Sequence, residues 1–410
     1  MKDKIKVAVI GVGGRGHGMI GTIDNMQDDV QIIGVCDLYE DRVEAAKQRV
    51  LEETGFEPFG STDYHDILKL EGLDSVYIAS DWSSHVRIAI DSMKAGIPAA
   101  MEVGGAYTVD ECWELVDTYE KTGVWAMMME NCCYGEREMM VHNMVRQGLM
   151  GKLVFCSGQY AHDLRKEISY GTQNRHYRLR NYLSRNCENY PTHELGPIAK
   201  ILEINRGNRM VSMFSCCTGS YGLKEYVKKN EDLHEELLGK EFAQADIVKT
   251  FIKTERGELI ELTLDTSLPR YYSRGFTIRG TKGLYQEDGD TLYFDEPEFI
   301  KNEWEQKNFW GKGEEYAEKY NAPLWKNTTE EMLKAGHGGM DWHVLRAWVE
   351  SVKTDALPPI DVYDAASWMS ITALSDISLK NGGQEVEIPD FTRGKYKDRE
   401  PLADNDYAIR

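Results

Sequence analysis

The chain has 410 residues, with 48 basic against 68 acidic, for a formal net charge of −20. That length exceeds one typical hydrophobic core and predicts two domains, and the acidic balance argues against nucleic acid or an anionic membrane surface as a partner. No run of about 18 apolar residues occurs, so no membrane-spanning helix is expected.

The N-terminal apolar stretch Ile5–Ile10 is too short for a secretory signal and runs into a glycine-rich turn, so the sequence reads as cytoplasmic. Beyond it, short β-branched runs at Val7–Ile10, Ile32–Cys36, Val76–Ala79, Ala99–Val103 and Trp125–Met129 alternate with helical patterns at Glu40–Glu52, His85–Lys94 and Val109–Lys121. Strands separated by helices predict right-handed βαβ units and a parallel sheet. Glu136–Gln147 reads as a helix closed by Gly148, and longer alternating stretches follow at Leu153–Tyr160, Met210–Cys217, Ile247–Thr266 and Phe276–Gly280. Within Ile247–Thr266 a hairpin is expected around Arg256-Gly257. Long alternating strands predict an open, mostly antiparallel sheet with one covered face. Residues 300–335 show weak periodicity and read as a surface excursion, before a late helix over Asp361–Lys380. The expected fold is α/β: a Rossmann doubly wound parallel sheet over residues 1–130, then an α+β domain on an open sheet over residues 131–410.

Gly11-Val12-Gly13-Gly14-Arg15-Gly16 is a G-x-G-x-x-G loop between a strand and a helix, the context that makes it a dinucleotide fingerprint. Gly11 permits the tight turn, Gly13 lets the backbone approach a pyrophosphate, and Gly16 allows close helix–strand packing. The helix N-terminus then offers N–H groups to the phosphates. Asp37 ends the second strand, 21 residues after Gly16. A carboxylate there accepts from a ribose 2′-OH and repels a 2′-phosphate, favouring NAD over NADP. Arg15 either neutralises pyrophosphate charge or is solvated. The eight cysteines contain no C-x-x-C, and no H-E-x-x-H occurs, so reduced thiols and no catalytic metal are expected.

Six further segments stand out: Glu130-Asn131-Cys132-Cys133-Tyr134, Asn143-Met144-Val145-Arg146-Gln147-Gly148, Tyr190-Pro191-Thr192-His193, Ile204-Asn205-Arg206-Gly207, Gly338-Gly339-Met340-Asp341 and Asp361-Val362-Tyr363-Asp364-Ala365-Ala366. With a Rossmann domain followed by an open-sheet domain, the sequence resembles the Gfo/Idh/MocA oxidoreductases, named for glucose–fructose oxidoreductase and inositol dehydrogenase, and through these segments it is similar, within them, to the NAD-dependent α-N-acetylgalactosaminidases. These segments run from the cofactor domain to the late helix. Oxidoreductases of the superfamily carry a catalytic lysine in Glu-Lys-Pro after the fourth strand, where this sequence reads Glu102-Val103-Gly104-Gly105. The glycosidases also lack that lysine, with Val-Pro in its place. Gly104 for proline and Ser80-Asp81-Trp82 for Thr-Pro-Trp are departures even from them, and the loop between Tyr160 and Arg178 is shorter.

The resemblance implies hydride-transfer glycosidase chemistry: oxidation at the sugar C3, removal of the acidified C2 proton, elimination at C1, addition of water and re-reduction. It places Tyr160, Arg178, Tyr190 and His193 in catalysis, Glu130, Tyr272 and His337 at the substrate, and Gly14, Trp82, His85 and Glu102 with the glycine loop at the cofactor. A neutral imidazole suits proton transfer from the C3 hydroxyl, so His193 is the expected base there. Tyr160 or Tyr190 would take the C2 proton, and Arg178 would stabilise developing negative charge. Bland alternatives stand beside these readings. A lone histidine is usually structural, and tyrosine is plentiful at 22 residues. His337 either lines the pocket or belongs to a helix-entry loop with Asp341 in the first turn. Asp163, Glu188 and Glu194 read as solvated carboxylates. A sugar or cyclitol dehydrogenase that releases NADH, and a catalytically dead NAD-binding regulator, are the competing functions. A sugar or glycoside is the expected small-molecule partner, and relatives of this kind pair as homo-oligomers.

Overall fold

Every residue of Ile5–Ile10 (β1) except Lys6 is buried, as expected for a central strand covered on both faces. The same apolar logic forms Val30–Cys36 (β2), Phe59–Ser61 (β3), Ser75–Ile78 (β4), Ala99–Met101 (β5) and Ala126–Met128 (β6). The computed structural model describes residues 2–301, 303–399 and 407. In it these six strands pair in parallel in the order β3-β2-β1-β4-β5-β6. The order reverses between β1 and β4, the crevice where doubly wound sheets bind ligands.

Local chemistry sets the helices between the strands. Helix Val109–Thr122 begins at a capping box: the Thr108 hydroxyl accepts from the Glu111 amide, and the Glu111 carboxylate accepts from the Thr108 amide. It ends at Gly123, whose φ of 72° satisfies a left-handed cap. The short edge strand β3, which sequence periodicity does not mark, exists because β2 offers it a free ladder edge at Gly34–Cys36.

The chain divides into two compact units. The first joins the residues up to Tyr134 with Pro323–Ala366, and the second joins Gly135–Ala322 with Ser367–Arg399. The sequence-based boundary at residues 130 and 131 therefore leaves out a late segment that packs with the parallel sheet. Tertiary contacts explain this. Helix Met340–Thr354 buries Val344, Leu345, Trp348 and Val349, and the Trp348 indole donates to the Ser75 hydroxyl on β4 at 2.9 Å. The Met128 amide of β6 donates to the Ile360 carbonyl at 3.3 Å.

The second unit holds an eight-stranded sheet built from Leu153–Ala161 (β7), Met210–Cys217 (β8), Ile247–Thr254 (β9), Leu259–Asp265 (β10), Thr277–Gly280 (β11), Gly283–Gln286 (β12), Thr291–Phe294 (β13) and Val386–Glu387 (β14). Its order is β13-β12-β11-β7-β10-β9-β8-β14. The pairing is antiparallel except between β7 and β10, which run parallel with Tyr160 opposite Leu264. The expected hairpin joins β9 to β10 through Gly257 at φ 96°. Helix Thr192–Ile201 covers one face so closely that a Cβ on Gly158 would lie 2.8 Å from the Cβ and carbonyl oxygen of Glu194. The stretch read as a surface excursion is partly anchored, because Phe309 packs edge-on against Tyr293 of β13 with ring centroids 5.1 Å apart, beside Phe299 just ahead of the stretch.

Candidate functional site

In the first unit the glycine loop is a steric necessity. Gly11 sits at φ 88°, and a Cβ there would meet the Ser80 backbone nitrogen at 2.5 Å. A Cβ on Gly16 would lie 1.9 Å from the Gly11 carbonyl oxygen. Helix Gly14–Asp24 then starts with no side-chain cap and no acidic residue in its first turn. Backbone donors and a positive dipole end in that state suit an anionic phosphate pair. Asp37, nearly buried at the end of β2, accepts from the Tyr39 amide at 3.1 Å. This donor set fits a dinucleotide, with N–H groups for the pyrophosphate and a carboxylate for the ribose hydroxyls. Arg42 is an unexpected neighbour. Its guanidinium lies 3.8 Å from Asp37 and 3.1 Å from where a Gly13 Cβ would be.

Trp82 and His85 are buried against the loop after β5, and a Cβ on Gly104 would come within 2.4 Å of the Trp82 ring and 3.0 Å of His85. With φ at 153°, Gly104 leaves the room beside Trp82 that a side chain would fill. Burial pushes His85 down to about 4, against a smaller opposing effect of Asp81, so the ring is neutral at pH 7.

Arg15 pairs with two carboxylates. Its Nε donates to Glu102 at 2.8 Å, and its terminal nitrogens donate to both oxygens of Asp341 at 2.7 and 3.0 Å. Asp341 also accepts from the Asn131 amide at 2.7 Å and faces His337 Nδ1 at 2.9 Å. Burial opposes its charge, yet His337 and Arg15 hold it well below the usual carboxylate range. Tyr77 donates to Glu102, and burial together with that carboxylate pushes its phenol up. His337 is half-exposed at φ 45° in the turn entering helix Met340–Thr354, and it caps this cluster. Glu130, fully buried, accepts from the Cys132 amide at 3.0 Å. Asn131, Tyr77 and the hub role of Asp341 escape sequence reasoning because their partners lie far away along the chain.

In the second unit four of the expected residues converge. Tyr160 at the end of β7 and Tyr190 before helix Thr192–Ile201 pack with centroids 4.4 Å apart. His193, in that helix's first turn, lies 5.6 Å from the Tyr160 ring and 4.9 Å from the Tyr190 ring, edge-on to both. The Arg178 guanidinium is 4.9 Å from the Tyr190 ring and 5.9 Å from that of Tyr160, with Glu167 2.7 Å from its Nε. Burial opposes charge on Arg178, but Tyr160, Tyr177, Glu167 and Tyr190 keep it firmly protonated. A buried guanidinium among phenols is placed to stabilise negative charge. Tyr272, partly exposed, joins the group through His162, whose ring is 5.3 Å from Tyr272 and 6.3 Å from Tyr160. His162 escapes sequence reasoning; its only signal is a position two residues beyond Tyr160.

Two carboxylates expected in solvent are not there. Glu188 and Glu194 are completely buried, whereas Asp163 keeps partial exposure and pairs with Arg165 at 2.7 Å. The tight seat at Gly158 draws Glu194 under the sheet.

Comparison with known proteins bears on both units. Residues 5–130 match the model of the oxidoreductase family with an NAD-binding Rossmann fold, and residues 134–398 match that of the glycosyl hydrolase 109 C-terminal domain. A glycosyl hydrolase family 109 protein of Parabacteroides distasonis is 34% identical over 97% of this chain and 89% of its own. An α-N-acetylgalactosaminidase of Tannerella forsythia is 35% identical over 97% and 88%. Among solved structures, myo-inositol 2-dehydrogenase from Lactobacillus plantarum shares the fold at a TM-score of 0.65 and 15% identity, covering 94% of this chain and all of that one.

Proposed function

The chain belongs to glycosyl hydrolase family 109, and from that premise we propose that it cleaves an N-acetylhexosaminide by C3 oxidation, C2 deprotonation, elimination, water addition and re-reduction. Its first unit carries the NAD-binding Rossmann domain. There Gly11, Gly13 and Gly16 would hold the pyrophosphate, and Asp37 the adenosine ribose. Bound NAD supplies reversible hydride acceptance at the sugar C3, so no net oxidation results.

The observation that carries the reading is the packed group of Tyr160, Tyr190, His193 and Arg178. His193 takes the C3 hydroxyl proton and later returns it. With a ketone at C3, the C2 hydrogen is acidic, and Tyr160 or Tyr190 removes it while Arg178 stabilises the enolate charge. The C1–O bond then breaks and the aglycone leaves with a proton. Water adds its hydroxyl at C1 and a proton returns to C2. Val103 stands where dehydrogenases of this fold carry lysine, in keeping with a redox-neutral cycle. Glu130, Tyr272 and His337 serve substrate positioning, and the named activity of the Tannerella forsythia relative makes an α-linked N-acetylgalactosamine the first sugar to test.

Direct displacement by paired carboxylates leaves the C2 hydrogen untouched. The proposal therefore expects product formed in heavy water to carry deuterium at C2, with no stoichiometric NADH. Cleavage without C2 exchange overturns it, as does NADH accumulation from a free sugar with no bond broken; the latter marks a dehydrogenase.

A further inference from the structure

Asp341 stands in the first turn of helix Met340–Thr354, where a carboxylate ordinarily serves the helix end. This one is buried, the helix starts at Gly339 without a side-chain cap, and both carboxylate oxygens are spent on side chains. Oδ1 accepts from Arg15 Nη2 at 3.0 Å and from Asn131 Nδ2 at 2.7 Å. Oδ2 accepts from Arg15 Nη1 at 2.7 Å and lies 2.9 Å from His337 Nδ1. We propose that Asp341, clamped by Arg15 and Asn131, is a positioning residue that fixes the proton of His337 on Nδ1 and leaves Nε2 as the ring nitrogen that meets the substrate. The inference rests on the substrate-positioning role given to His337 above.

The tautomer follows from the geometry. A carboxylate that takes a guanidinium on both oxygens is ionised, and an ionised carboxylate only accepts. The ring nitrogen facing Oδ2 must therefore donate, so Nδ1 carries the hydrogen. In the neutral ring Nε2 is then bare and accepts from a sugar hydroxyl or an acetamide N–H; in the charged ring it donates. The side chain stays half-exposed while its Nδ1 is held against a buried carboxylate.

The backbone is bent to make this contact. Gly336, His337, Gly338 and Gly339 run at φ 102°, 45°, 64° and 99°. Left-handed backbone suits the glycines, but at His337 it is strained. A Cβ on Gly336 would come within 2.5 Å of Asp341 Oδ2, so the chain passes close over the carboxylate. The Gly339 amide closes the turn on the Gly336 carbonyl at 3.0 Å, and Thr22 Oγ1 ties it to helix Gly14–Asp24 by donating to the Ala335 carbonyl at 3.2 Å. A turn serving only to enter a helix gains nothing from an imidazole held in that conformation. Arg15 belongs to the glycine loop and also donates to Glu102 after β5 at 2.8 Å, so the imidazole takes its place from the cofactor loop.

Nitrogen NMR of isotope-labelled histidine in the full-length protein reads the tautomer, with His337 identified as the signal that His337→Gln removes. On the alkaline side of its titration the wild-type ring should be protonated at Nδ1 and bare at Nε2. In Asp341→Asn the amide oxygen stays with Arg15 and Asn131 and the NH₂ turns to the ring, so the proton should move to Nε2. With an aryl α-N-acetylgalactosaminide as substrate, Asp341→Asn should lower kcat about 10²-fold with a smaller change in KM. In a His337→Gln background the same substitution should change kcat by less than about threefold, because a residue that acts only through His337 has nothing left to position. A bare Nδ1 in the wild type, an unmoved proton in Asp341→Asn, or the full loss repeated in the His337→Gln background would each overturn the proposal; the last would mark a purely structural role. The tautomer is read on resting enzyme, so it stands or falls separately from C2 exchange, and if Asp341→Asn does not fold, the wild-type spectrum still decides.

Discussion

The two units make their sites from different materials. In the first, the glycine loop and the helix end that follows offer backbone, and what matters is the absence of side chains at Gly11 and Gly16. In the second, the site is side chain throughout: two phenols, an imidazole and a guanidinium brought together from a strand end, a loop and two helices. A backbone site tolerates almost any neighbour but no added atom. A side-chain site tolerates shifts in backbone but no loss of a functional group.

The largest effect should come from removing a group in the second unit. His193→Ala is expected to lower turnover by about 10²–10⁴-fold, the range for a general acid–base residue, with NAD binding in calorimetry unchanged. Lost NAD affinity would break the contrast. The converse change adds atoms in the first unit: Gly16→Val forces a side chain onto the Gly11 carbonyl. Overpacking of about 1–3 kcal/mol should weaken NAD binding about 10–100-fold and leave the second unit's fold intact by circular dichroism.

Asp341→Asn probes a buried carboxylate on which the first unit relies for charge. Losing charge-assisted hydrogen bonds from Arg15 should cost about 1–3 kcal/mol in urea unfolding. The folded carboxyl is held below its unfolded value, so its contribution is full above about pH 4 and is lost as pH falls through the lower folded value. The variant should therefore show a flatter acid limb, and an unchanged limb would show that Arg15 gains nothing from Asp341. The smallest effect is expected at Asp37→Ala, a fall of about tenfold or less in the preference for NAD over NADP. Arg42, already 3.8 Å from the Asp37 carboxylate, supplies a cation near where a 2′-phosphate would sit. Comparing the two dissociation constants checks this.

This contrast in material also explains what could be read from the sequence. A backbone site needs closely spaced small residues, so Gly11–Gly16 and Asp37 announce themselves by their spacing together with the strand and helix around them. Helix His85–Lys94 and strand Met210–Cys217 are likewise legible to the residue, because their apolar periods are long and cleanly bounded. The second site carries no such period. Tyr160, Arg178, Tyr190 and His193 stand out only through likeness to relatives, and His162 not at all. Glu188 and Glu194 mislead for a physical reason: carboxylates are ordinarily solvated, and the close approach at Gly158 is what carries Glu194 under the sheet. The strand β3 and the return of residues 323–366 to the first unit are set by tertiary partners, invisible to local pattern.

That return has a consequence for how the protein is made. A chain leaving the ribosome finishes its sixth parallel strand by Met128, but Trp348, which fills the space beside Ser75, is over two hundred residues behind. The nucleotide-binding half must wait, part-covered, while the whole of Gly135–Ala322 emerges. Domains generally complete their cores as units and in order; here the earlier core closes late. A fragment ending at residue 134 would present the apolar bed of helix Met340–Thr354 to water, and expression of that fragment should give aggregate where the full chain gives soluble protein.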